Sequence, residues 1–226
     1  FSDEGFLNAF KNTTAFAVVS IILINVVAFA IAYALTQKIR GANLFRTVFF
    51  MPNLIGGVVL GYIWSMIFDG ILKNYGTYLT ANGTYGFWGL VILVAWQQIG
   101  YMMIIYIAGL QAVPEDMLEA ARIDGASEFY TYNRIVLPIM IPAMATMGIM
   151  AVIGSWNNYL TPLMLLSKSE MKTLPMMVKE LRGDIYRTEY GSIYLGLTLT
   201  AMPLLIVYFC FSKYIIAGVA VGGVKE

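Results

Sequence analysis

Histidine is absent from the 226 residues. That removes the commonest metal ligand and general base, and the usual proton switch near neutral pH. Cysteine occurs once, as Cys210 inside an apolar run, which leaves no disulfide frame and no thiolate metal site. Charge is scarce: 12% of residues are charged, against about 25% in soluble domains. The net charge of +1 gives no basic footprint, so nucleic acid is not an expected partner. A G-x4-G-K-[ST] phosphate loop is missing, as is any nucleophile–base pair or metal-ligand cluster. The chain is therefore expected neither to hydrolyse ATP nor to be an enzyme, and to carry no catalytic residue, metal or cofactor of its own.

What is present is apolar sequence, 59% of the residues. Membrane helices need about 20 mostly apolar residues, and five runs qualify: 13–36, 47–68, 85–111, 139–160 and 191–211. The predicted fold is an all-α integral membrane protein, one transmembrane domain over residues 1–226 with five transmembrane helices. None of the five runs contains Asp, Glu, Lys or Arg. A charge at mid-membrane costs ~2.5–3.5 kcal/mol on insertion scales and usually marks an ion or proton path. The runs thus lack the acidic side chain that a proton- or sodium-driven carrier would use.

Orientation should follow the loop lysines and arginines. The link 37–46 holds Lys38, Arg40 and Arg46 without an acid and reads as cytoplasmic. Alternation then puts 69–84 and 161–190 outside, with 112–138 and the C-terminus inside. The full count ties at seven basic residues on each side, because 161–190 alone carries five. Phe1 in place of methionine, and an N-terminus assigned outside, lead to the expectation of a further span upstream.

The most polar run of its length between two long apolar segments is Glu119 to Pro138, within the loop 112–138. Pro114 suits a first helical position, and Glu115 and Asp116 follow in the turn where the helix dipole favours anions. Met117, Leu118 and Ala121 share a face at helical spacing. Gly125 stands where a left-handed cap ends the helix, and Ser127 can cap the next one. Glu115 and Glu119 are a like-charge pair four apart, which costs an isolated helix about 0.2–0.5 kcal/mol. Ala120 and Ala121 leave almost no side-chain bulk. An ordinary solvated helix and a small acidic knob for a partner's groove both fit these residues.

Glu119-Ala120-Ala121, Gly125, Ile135, Leu137 and Pro138 stand in the order E-A-A-x3-G-x9-I-x-L-P. In every fixed position this resembles the EAA loop of permease subunits of binding-protein-dependent ABC importers. Phe45-Arg46 to Pro52, Trp156-Asn157-Asn158-Tyr159 and the glycine-rich tail are similar to the carbohydrate branch, the maltose-type permeases. The resemblance implies a multi-pass subunit of a bacterial-type cytoplasmic (inner) membrane. Its coupling residues would be Glu115, Glu119, Ala120, Ala121, Asp124, Gly125, Ile135, Leu137 and Pro138. The implied partners are a cytoplasmic ATPase dimer, which would hold the ATP and Mg, a second permease subunit and an extracytoplasmic solute-binding protein. A carbohydrate would be the substrate. A gradient-driven carrier and a scaffold without transport are the competing readings. The first needs intramembrane ionisable groups, and the second leaves the acidic loop unexplained.

Glycine and proline punctuate the runs. Gly57 and Gly61, beside Gly56 and Pro52, make a small-xxx-small pair that suits close helix packing. A flexing gate would also use them, together with Pro138, Pro142, Gly148, Gly154 and Pro203. Polar side chains inside the runs are few: Gln97, Gln98 and Tyr101 beside Trp96, then Asn157 and Asn158 beside Trp156 and Tyr159. Neutral amides and aromatic faces could line a sugar path. Interhelical hydrogen bonds and an interfacial aromatic belt would use the same residues. The loop 161–190 should hold a short amphipathic helix, started by Pro175 and stopped by Gly183, with Leu174, Met177, Val178 and Leu181 on one face. Such a helix lies at an interface, and under the resemblance it faces the solute-binding protein.

Overall fold

The computed structural model describes residues 4–37, 39–166, 168–181 and 190–222. Its regular elements are all helices: α1 (Glu4–Thr36), α2 (Ala42–Phe50), α3 (Gly57–Lys73), α4 (Gly83–Gln111), α5 (Glu115–Ile123), α6 (Glu128–Thr131), α7 (Leu137–Trp156), α8 (Leu160–Leu165), α9 (Leu174–Glu180) and α10 (Tyr190–Gly222). The all-α expectation holds among the described residues. Three helices are long and apolar enough to cross a membrane alone, within α1, α4 and α10. Two bent pairs bring the number to five.

The second expected span is one of those pairs. Run 47–68 is not a single helix. The chain starts earlier, as α2, tightens into a 3-10 turn over Met51–Leu54, and turns by 100° before α3. Proline has no N–H to give, and Pro52 sits inside that turn. Ile55 and Gly56 are extended (ψ 131° and 137°), which completes the corner. The fourth span bends by 52° about Pro142, where a proline removes a helical hydrogen bond. It ends at Trp156, four residues short of the expected 160, and α8 starts separately. The first span begins at Glu4, nine residues before the expected 13.

α1 and α4 form the centre. Phe16, Ile24, Ala28, Ala32 and Leu35 of α1 are buried with Leu90, Leu93, Val94, Met103 and Tyr106 of α4. Alanines at 28 and 32 let the helices approach closely, which lipid alone does not drive. The Tyr106 hydroxyl donates to Asn25 Oδ1 across this contact. α7 joins through Met140 and Met147, and α10 packs chiefly on α7.

The small-xxx-small pair works as packing. A Cβ on Gly61 would lie 2.8 Å from Met164 Cβ, and one on Gly57 would lie 3.5 Å from Thr161 Oγ1. The partner of both is α8, a helix the hydropathy pattern had merged into the fourth span and outer loop. Gly148 and Gly154 face open space, with nothing within 4 Å of an added Cβ.

The ends of the bundle agree with the expected alternation. Asn12 Nδ2 donates to the Glu170 carbonyl (2.8 Å), and Lys168 Nζ donates to the Ala81 carbonyl (2.9 Å). The N-terminal part of α1, the α3–α4 loop and the loop after α7 therefore share one end. Gln37, Gln111 and Glu115 meet at the other. In the loop after α8, α9 runs over Leu174–Glu180 with Leu174, Met176 and Val178 buried, and Lys172 pairs with Glu180 at 2.6 Å. Its expected stop at Gly183, with Arg182, lies outside the described residues, as do Lys38 and the tail beyond Gly222.

The buried Thr13 hydroxyl ties α1 to this loop: it donates to the Ala9 carbonyl and accepts from Leu174 N–H at 2.7 Å. Thr13→Val keeps the shape and leaves that amide unpaired, a cost of about 1–3 kcal/mol. Amide hydrogen exchange at Leu174 should accelerate in Thr13→Val and stay slow in Thr13→Ser. Equal protection in the two variants would show that the bond contributes nothing.

Candidate functional site

α5 forms as its capping chemistry dictates. Pro114 takes the N-cap position with extended backbone (ψ 132°), one residue before the expected helical start. Glu115 and Asp116 occupy the first turn and Arg122 the last, each sign matching the dipole end it meets. At the other end Gly125 N–H bonds the Arg122 carbonyl (3.1 Å) and Ala126 N–H bonds the Ala121 carbonyl (2.9 Å). That paired closure needs a left-handed residue, and Gly125 supplies it at φ 72°. Ser127 then caps α6, accepting from Tyr130 N–H at 3.3 Å. A π-helical turn over Tyr132–Val136 leads into α7 at Leu137 and Pro138.

Side chains advance by about 100° per residue on a helix, so α5 has three faces. Glu115, Leu118 and Arg122 turn toward the ends of α1 and α4, lining a cleft of about 520 Å³. Met117, Ala120, Ala121 and Asp124 look toward α6 and Ile135 across an open groove of about 700 Å³. Asp116, Glu119 and Ile123 form the third face and are exposed, Ile123 at 81%. Ala121 is buried within the loop itself, while Ala120, Asp124, Gly125 and Pro138 are exposed and Ile135 and Leu137 half-buried. Of the two small residues, Ala121 serves the loop's own packing and Ala120 is left open to a neighbour. Ile123 and Phe129, the latter 79% exposed, were not singled out from the sequence. Their signal was available: both are large apolar residues off the face marked by Leu118 and Ala121.

The amide and aromatic residues separate into two places. On α4, Gln97 Nε2 donates to the Ile55 carbonyl at 3.3 Å, so it satisfies backbone freed at the corner between α2 and α3. Gln98 is half-buried, and Tyr101 packs on the central core. Trp96 meets Trp64 edge-on at 5.3 Å and is otherwise exposed. Trp156, at the end of α7, is buried, with its indole N–H donated to the Thr200 carbonyl of α10 (3.0 Å). Asn157 is exposed in the turn that follows. Asn158 Oδ1 accepts from Thr161 N–H (3.4 Å) and starts α8, and Lys179 lies 4.7 Å over the Tyr159 ring. Gln97, Asn158 and Trp156 are thus committed to the fold, whereas Gln98, Tyr101, Trp96 and Asn157 keep groups uncommitted. Among the described residues no group of three or more His, Cys, Asp or Glu could hold a metal.

Residues 38–221 match the family described as binding-protein-dependent transport system inner membrane component. The chain belongs to that family. It is 36% identical over 199 residues to a probable starch degradation products transport system permease protein of Thermoanaerobacterium thermosulfurigenes, covering 84% of this chain and 66% of that protein. Against a multiple sugar-binding transport system permease protein of Streptococcus mutans it is 30% identical over 224 residues, covering 98% and 78%. The chain spans about two thirds to three quarters of the length of these relatives. These similarities place it with the sugar-type ABC importer permeases, and those relatives are transport subunits rather than enzymes. A bacterial ABC transporter that imports the polysaccharide alginate has the same fold, with a TM-score of 0.76 at 16% identity, covering 100% of this chain and 82% of that one. The inward-facing MetNI methionine transporter matches with a TM-score of 0.66 at 14% identity, covering 94% and 95%. A shared fold at these identities carries no substrate. The chain is a membrane-embedded transport subunit of a binding-protein-dependent system.

Proposed function

We propose that this permease is the translocation subunit of an ATP-driven importer of sugars or oligosaccharides in a bacterial cytoplasmic membrane. It pairs with a second permease subunit and couples to a cytoplasmic ATPase dimer through the loop 112–138. ATP and Mg reside on the ATPase. The observation that carries this reading is the α5 geometry: a helix locked at Gly125 by its own cap, presenting Asp116, Glu119 and Ile123 outward with none of the described residues over them. The sugar-transport names of its relatives support the substrate class. An acidic, partly apolar face fits a groove with a basic rim, where charge steers encounter and apolar anchors hold.

The π-helical turn joins this handle to α7, and α7 bends at Pro142, so motion at α5 has a compliant route into the bundle. ATP-driven closure of the ATPases would pull α5 and rock the spans between inward- and outward-open states, provided the two states hold α5 differently. Gln98, Tyr101 and Trp96 on α4 and Asn157 after α7 offer neutral polar and aromatic groups for a sugar path.

The test is reconstitution of the chain with its ATPase, second permease and solute-binding protein in proteoliposomes. ATP hydrolysis should rise when a neutral oligosaccharide is offered with the binding protein, and should not respond to a proton or sodium gradient. Uptake that follows a gradient and ignores ATP would overturn the proposal.

A further inference from the structure

Behind α5, on the face turned away from Glu119 and Ile123, lies the cleft of about 520 Å³ between the ends of α1 and α4 and the loop. This volume falls within the roughly 300–1,000 Å³ that small-molecule clefts occupy. Amides come from Gln37 after α1 and Gln111 at the end of α4. Charges come from Arg122 and Glu115 on α5 and from Glu128 on α6. No hydrogen bond or ion pair joins any of these five side chains to another described residue. Beside them the Tyr33 and Tyr132 rings meet edge-on, 6.5 Å apart, and both line the cleft. All five are exposed to solvent along the cleft, and polar groups free to exchange water for hydroxyls, next to aromatic faces, are the chemistry that takes up a polyhydroxylated ring. Among the described lining residues one guanidinium stands against two carboxylates, a net negative balance that disfavours phosphorylated or acidic sugars.

We propose that this cleft binds a neutral sugar of about disaccharide size from the side that carries the coupling loop, and that its occupation inhibits transport. The proposal rests on the importer reading above. Tyr132 opens the π-helical turn that links the loop to α7 and also touches Phe29 on α1 at 5.9 Å. A ligand seated between Tyr33 and Gln37 on one side and Arg122 and Glu128 on the other would hold the loop against the span ends. It inhibits to the extent that it binds that arrangement better than the one ATP enforces. The sugar brought in thereby limits its own import.

The complete transporter in proteoliposomes tests this, with sugar-loaded binding protein on one face and maltose, maltotriose or arabinobiose added at millimolar concentration to the ATPase face. At least one of these is expected to lower the stimulated hydrolysis rate by roughly fivefold or more, a coupling of ordinary size. Glycerol 3-phosphate should have no effect. Gln37→Ala and Gln111→Ala should each hydrolyse at the wild-type stimulated rate and lose the inhibition. A rate indifferent to all three sugars, or variants inhibited as strongly as wild type, overturns the cleft proposal and leaves the importer reading standing. Absence of any stimulation from the binding-protein face removes both.

Discussion

Gly100→Ala should deplete folded protein more than any other single methyl addition in the described bundle. A Cβ at Gly100 would lie 1.8 Å from the Phe49 carbonyl oxygen, 2.4 Å from its carbon and 2.8 Å from Phe50 nitrogen. These are backbone atoms, so no rotamer change relieves the clash. Only withdrawal of α2 from α4 does, and that would take the corner at Ile55 and its bond from Gln97 with it. Overpacking a core by a methylene typically costs about 1–3 kcal/mol, and a backbone collision of this depth belongs above that range. Gly148→Ala is the matched control in another span, since nothing lies within 4 Å of its added methyl. Detergent-solubilised Gly100→Ala should melt well below wild type or elute as aggregate, while Gly148→Ala should behave as wild type. Equal yield and melting temperature for Gly100→Ala would refute the crossing of α2 over α4.

The second large effect is expected at Gly125, for the opposite reason. Space is open around it, with nothing within 4 Å of an added Cβ, but its φ is +72°. An L side chain in that region costs about 1–2 kcal/mol, with asparagine the most tolerant after glycine and a β-branched residue the worst. Gly125→Val should therefore release the closure that Gly125 and Ala126 make on Arg122 and Ala121, and α5 should lose its fixed direction. Co-purification with the ATPase is expected to fall by tenfold or more in Gly125→Val and to survive in Gly125→Asn. Membrane insertion should be unchanged in both, because the residue lies outside the apolar spans. Glu119→Lys reverses a charge on the exposed face without touching the cap and should also weaken the association, more so at low ionic strength. Undiminished ATPase in both Gly125→Val and Glu119→Lys preparations would remove α5 from the coupling role.

These two glycines divide what could be read from the chain. Gly125 was legible because its signals are neighbours in sequence: Pro114, first-turn acids, Arg122, then Gly125 and Ser127, all capping chemistry acting over three to five residues. The same locality made α9 legible from Pro175, and the apolar spans legible from composition. Gly100 gave no such signal. Its partner, Phe49, lies in a different element, and so does Ile55, 42 residues from the Gln97 that satisfies it. The amide of Gln97 could equally have faced a sugar or a carbonyl, and the corner at Pro52–Gly56 decided for the carbonyl.

Composition and local pattern by themselves determined that this is an all-helical membrane protein whose five apolar runs hold no charged residue, and that its polar loop is a capped helix. Each of those outcomes depends on groups within a turn or two of one another, or on a sum over a run. Tertiary structure alone decided that the second span turns through 100°, that α8 is the packing partner of Gly57 and Gly61, and that Trp156 is buried against α10. Only the fold could put Gln37 and Gln111 across a cleft from Arg122. The reason is physical: which distant backbone fills a glycine's missing side chain, or accepts an amide's hydrogen, is settled by how rigid helices cross, and a crossing leaves no periodicity in either strand of sequence.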